Sequence, residues 1–127
     1  MSIRFNRQGG LIILPVWLWG QGGSGVLYCA LDTGSTDTLI STAALETLGY
    51  DLPRATNNVQ VTTASGVQSA PQISVQKIRA LDHDRQDFPV LGHTIPPSSG
   101  VDGLLGLDFL RGQSLVIDFR AGEITLS

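Results

Sequence analysis

Cysteine is almost missing from this chain. Cys29 stands alone, so no intrachain disulfide can form. A lone cysteine and two histidines, His83 and His93, also lack the ligand spacings of a zinc site, and no metal is expected. Lysine is nearly absent too: Lys77 is the only one, and no run of Lys or Arg occurs. With a formal net charge of -3, the chain lacks the basic surface of a nucleic-acid binder. Long apolar runs are missing as well. The longest, residues 11–19 (LIILPVWLW), is too short to span a bilayer and is interrupted by Pro15. It follows Arg4 and Arg7 and loosely mimics a secretory signal, but what comes next favours a buried first strand. That reading and the single cysteine favour the cytoplasm, for a whole protein or for one domain of a longer one.

Enough remains to fold. Hydrophobic residues make up 42% of 127 residues and charged ones 15%, which fits one ordered domain over 1–127 with a core of its own. Helix signal is scarce. Short apolar segments bounded by Gly, Pro, Asn, Asp or Ser predict an all-β domain. Strands are expected at 3–6, 11–19, 26–31 and 38–40, with 21–25 (QGGSG) as the turn between the second and third. A short helix is expected at 42–48, capped by Ser41 and ended by Gly49. Residues 58–64 and 67–75 read as two strands around Ser65-Gly66, with 77–81 extending the second. Residues 82–87 (DHDRQD) read as a polar loop, 88–91 as a strand and 95–100 as a loop. Residues 103–110 (GLLGLDFL) are apolar on nearly every side and read as a buried two-turn helix, capped by Asp102. A final hairpin is expected from 115–119 and 123–126.

The chemistry concentrates at Asp32-Thr33-Gly34-Ser35, which follows the uncharged run Tyr28-Cys29-Ala30-Leu31. A carboxylate at the end of a buried strand is costly unless it is hydrogen-bonded or working. Thr33 offers a hydroxyl to brace a neighbouring loop. Gly34 lets the backbone bring its N–H toward the carboxylate, and Ser35 can donate to a carboxylate oxygen. The tetrapeptide alone also suits an ordinary turn.

A second motif adds specificity. Residues 31–36 (LDTGST) resemble the active-site loop of aspartic proteases. Residues 103–110 resemble the apolar-apolar-Gly element and following helix of the retroviral-type members, the retropepsins, in their single-domain cellular and bacterial forms. Residues 59–75 fall where those proteins carry the flap hairpin. The resemblance covers roughly residues 11 to 126. It implies a closed, mostly β fold with one short helix near the C-terminus, active as a homodimer on an extended polypeptide. Asp32 would be catalytic, with Thr33, Gly34 and Ser35 supporting the loop. Thr62, Thr63, Ser65 and Gly66 would belong to the flap, with Leu105 and Gly106 structural beside the site. No cofactor is implied.

The count of acids bears on the dimer directly. Hydrolysis of this kind needs two carboxylates sharing a proton, and the chain has one Asp-Thr-Gly and no Asp-Ser-Gly. Many viral members pair an acid two residues after the loop Gly with an Arg after the helix Gly. Those positions are Thr36 and Leu107 here, so both partners are absent together. The dimer must then be held in another way. The rival expectation, drawn from that difference, is a peptide-binding or assembly module without efficient hydrolysis. Of the remaining residues, Trp17 and Trp19 share a strand face and read as core before a substrate groove or a seam between copies, Asp37 as an exposed surface acid before a substrate contact, and Asp108 as facing solvent or a local hydrogen bond. Residues 123–127 are candidates for the contact between copies.

Overall fold

A computed structural model describes residues 2–63 and 65–127. Its ten strands are β1 (Ser2–Arg4), β2 (Ile13–Gly20), β3 (Gly23–Leu31), β4 (Leu39–Ser41), β5 (Asn57–Thr63), β6 (Gly66–Ala80), β7 (His83–His93), β8 (Gly103–Leu105), β9 (Leu115–Asp118) and β10 (Glu123–Leu126). Two short helices, α1 (Thr42–Thr47) and α2 (Leu107–Leu110), complete the regular structure with two brief 3-10 turns.

Alternation builds the first hairpin. On β2, Leu14, Val16 and Leu18 are fully buried, while Ile13 and Trp17 face outward. Pro15 fits because β6 reaches β2 only at Trp17–Trp19, so its missing N–H interrupts no ladder on that side. The two tryptophans therefore stand away from the core, contrary to expectation. Trp17 is 38% exposed, and the Lys77 ammonium lies 4.7 Å from the Trp19 ring centre.

The strands run in the order β2-β3-β8-β4-β7-β6-β5, and the β2–β6 pairing closes the first six into a barrel. A second sheet, β1-β10-β9, packs against it, and Ile124 and Leu126 join the same hydrophobic cluster as Leu14, Leu18, Leu105 and Phe109. Full burial of each such side chain contributes about 1.5–3 kcal/mol. Ser41 Oγ accepts from Ala44 N at the start of α1, as its position implied.

Two element assignments are corrected. Residues 82–87 are not a loop. Leu81 and Asp82, both at positive φ, form a two-residue turn, and β7 begins at His83. The charges that suggested a loop pair across the strands instead: Arg79 reaches Asp84 at 3.1 Å and Lys77 reaches it at 3.6 Å. Residues 103–110 are not a two-turn helix either. Gly103–Leu105 is a strand, parallel to β3 and antiparallel to β4, and only Leu107–Leu110 is helical. A side chain at 103 would lie 2.3 Å from the Leu39 carbonyl oxygen, so glycine is needed for β8 to enter the gap. Filling that gap completes the barrel, which outweighs local apolar periodicity. Asp102 accordingly caps no helix. Its carboxylate accepts from Tyr28 N at 2.9 Å and ties β3 to the approach of β8.

Candidate active site

Asp32 directly follows the end of β3 and is half-buried. Its N–H donates to the Leu105 carbonyl at 2.9 Å, so β8 fixes where the strand stops. The turn that follows closes through Ser35 N to Asp32 O at 3.1 Å. Gly34 N donates to Asp32 Oδ1 at 2.9 Å and orients the carboxylate. Ser35 does not. Its hydroxyl, expected on that carboxylate, donates to the Asp37 carbonyl at 2.7 Å and holds the far side of the loop. Thr33 is exposed at the loop apex.

Beneath the loop, α2 clasps it. Leu107 N donates to Ser35 O at 2.8 Å and Asp108 N to Thr36 O at 3.2 Å. Thr38 is fully buried, and Asp108 serves it twice. Oδ2 accepts from Thr38 N at 2.9 Å and Oδ1 accepts from Thr38 Oγ1 at 2.6 Å. Thr38 Oγ1 in turn accepts from Gly106 N at 3.1 Å. Asp108 makes the expected local hydrogen bond, accepting from Phe109 N at 2.8 Å, and is a long-range tie besides. Sequence reasoning passed over this pair because sixty-nine intervening residues separate Thr38 from Asp108. Gly106 sits where a Cβ would lie 2.5 Å from Asp37 O and 2.9 Å from Ser35 O. Its φ of -101° suits any residue, so the requirement is space and not conformation. Leu105 beside it is fully buried.

A cleft of about 510 Å³ opens over Asp32. The structure brings Asp32, Gly34, Ser35 and Thr62 to its walls. Gln60, Val61 and Thr62 reach it from the β5–β6 hairpin. Ser65 and Gly66 lie in the turn end of that hairpin and Leu105 and Gly106 below the loop, outside the cleft lining. Thr63 pairs with Gly66 through its backbone; Ala64, placed in the same hairpin from the sequence, lies outside the described residues. Asp37 is half-buried in the cleft wall instead of on the outer surface, and Leu39, Leu91, Leu104 and His93 join it there. Those four went unassigned because they come from three separate strands that only the barrel brings together.

The family model for aspartyl protease matches residues 22–109. The chain belongs to the aspartyl protease family. Within it the fold is retropepsin-like: a crystal structure of a retropepsin-like aspartic protease from Rickettsia conorii superposes with a TM-score of 0.73. The two are 19% identical, over 99% of this chain and 89% of that one. No curated protein sequence matches. Against that family background two negative observations are relevant. Among the described residues, no three His, Cys, Asp or Glu side chains gather as metal ligands, and no helix is long and apolar enough to cross a membrane.

Cys29, three residues before Asp32, is fully buried. Burial first, and the nearby Asp102 carboxylate second, push its thiol from an ordinary 9.0 up to about 12. A neutral buried thiol is a small apolar filler and not a nucleophile.

Proposed function

We propose that this aspartyl protease family member is an active endopeptidase, that residues 1–127 form one protease domain, and that two copies assemble the site. The observation that carries this is a single Asp32, oriented by Gly34 N, at the floor of a cleft overhung by a hairpin. One such carboxylate per chain is half of what the reaction requires. A twofold axis beside the loop would set Asp32 against its own image.

Two carboxylates about 4 Å apart repel by about 4 kcal/mol at an effective dielectric of 20, so the pair holds one proton between them. The ionised member acts as general base on a water held by both. The protonated member donates to the scissile carbonyl oxygen as the water oxygen bonds to carbon. The resulting tetrahedral diol collapses with proton transfer to the leaving nitrogen, and the dyad returns to its starting state. Thr33 braces the two loops against each other, Gly34 keeps the carboxylate aimed, and Ser35 supports the loop through its bond to the Asp37 carbonyl. Thr62, Thr63, Ser65 and Gly66 form the flap, which closes over an extended polypeptide, excludes water and adds backbone hydrogen bonds. Leu105 and Gly106 support the loop from below.

Cleavage of denatured casein between acidic and neutral pH tests this, with wild type beside Asp32→Asn. Wild type cuts and the variant loses about a thousandfold or more, the scale of losing a positioned general acid/base. Equal cleavage by both proteins would remove Asp32 from the chemistry. The rival, a peptide-binding module, draws on the missing ion pair at Thr36 and Leu107, and cleavage by neither protein would favour it.

A further inference from the structure

The geometry points to His93 as a specificity-determining residue that receives an acidic side chain of the substrate, an assignment that rests on the protease activity proposed above. Strand register places it. Leu104 on β8 pairs with Leu39 on β4, and Leu39 pairs with Leu91 on β7. All three line the cleft, so they form an apolar row across three adjacent strands, about 4.8 Å apart from one strand to the next. Leu39 and Leu91 are almost fully buried, which makes the row a rigid floor.

The two ends of that floor differ in charge. Asp37 lies two residues before Leu39, beside Gly106 and therefore at the Asp32 end. His93 lies two residues beyond Leu91, level with Ser41, at the opposite end. His93, paired with Ser41, stands two strand residues beyond the leucine row, about 7 Å, while Asp37 precedes β4 on the other side of it. Among the described residues that line the cleft, His93 alone can carry positive charge, and it is half-buried. An acidic substrate side chain near Asp32 and Asp37 would meet two carboxylates. At the far end it meets an imidazole, which donates a hydrogen bond in either protonation state. An apolar side chain on the leucine row with a carboxylate side chain toward His93 is the pattern that satisfies both ends.

The test separates recognition from catalysis. Acetylated alanine decapeptides with one central leucine carry a fluorescein label and a single Glu, walked through the remaining positions, each paired with a Gln control. Their binding to Asp32→Asn, which keeps the cleft without cutting, is read by fluorescence anisotropy. At one position Glu binds about fivefold tighter than Gln, the size of a half-exposed charge-assisted hydrogen bond. That preference vanishes in Asp32→Asn/His93→Leu and persists in Asp32→Asn/His93→Lys. A Glu-to-Gln ratio unchanged by His93→Leu, a preference at no position, or binding of none of the peptides overturns the assignment. Loss of the protease reading is seen separately, as casein cleavage that does not depend on Asp32, and leaves these binding ratios readable.

Discussion

At the scale of single residues, the site is organised by short polar ties in an apolar surround. Gly34 N orients Asp32, and the Asp108 carboxylate satisfies both the N–H and the hydroxyl of buried Thr38. Leaving such a buried group without its partner costs about 1–3 kcal/mol, which is why a fully paired network is tolerated here. Cys29 gives a residue-scale prediction with a definite sign. Its thiol titrates at about 12 in the fold against an ordinary 9.0, so above pH 9 the unfolded chain has lost a proton that the folded chain keeps. Stability therefore falls as pH rises from about 9 toward 12, and Cys29 contributes no pH dependence below that window. Urea denaturation of wild type and Cys29→Ala at pH 8 and pH 10.5 measures it. The gap between the two proteins narrows at the higher pH. An unchanged gap would mean the thiol is not held neutral by burial.

At the scale of elements, the decisive contact is α2 and Gly106 against the Asp32 loop. Gly106→Ala drives a methyl to within 2.5 Å of the Asp37 carbonyl oxygen, and backbone must move. The expected loss is about 1–3 kcal/mol in chemical denaturation, with a larger fall in casein cleavage, because the displaced backbone carries Asp32. A variant as stable and as active as wild type would show that the loop tolerates slack. The sequence made much of this level legible. Turn residues and alternation located β2, β3, the β5–β6 hairpin and the C-terminal hairpin, and Ser41 marked the start of α1. It misread elements whose state depends on distant partners. Gly103–Leu105 has the apolar pattern of a buried helix and becomes a strand because β3 and β4 offer it hydrogen bonds on both sides. His83–His93 begins in charged residues that look solvated until Arg79 and Lys77 lie opposite. Asp32 and its loop could be read from local motifs. The leucine row and His93 could not, since strand order and not sequence spacing brings β4, β7 and β8 side by side.

At the scale of the whole molecule, the proposed pair must find its contact surface in this fold. Residues 123–127 were expected to contribute. In the fold β10 is the middle strand of its sheet, paired with β1 on one side and β9 on the other. It cannot add a partner strand without giving one up. Its end is also pinned, since Ser114 and Ser127 exchange backbone hydrogen bonds at 2.8 and 3.0 Å. The edges of that sheet are β1 and β9, and β9 carries Val116 at 58% exposure. A dimer of this chain therefore has edge strands and the Asp32 loops to use, in place of the ion pair missing at Thr36 and Leu107. The most direct measurement of shared chemistry is a mixing experiment at concentrations where the pair is saturated. A fixed amount of wild type is equilibrated with an equal amount of Asp32→Asn and assayed on denatured casein. Random exchange puts half of the wild-type chains opposite a partner without the acid, so activity falls to about half. Activity left unchanged by the added variant, after exchange is verified by mass, would show that one chain cuts alone and that Asp32 does not need its counterpart.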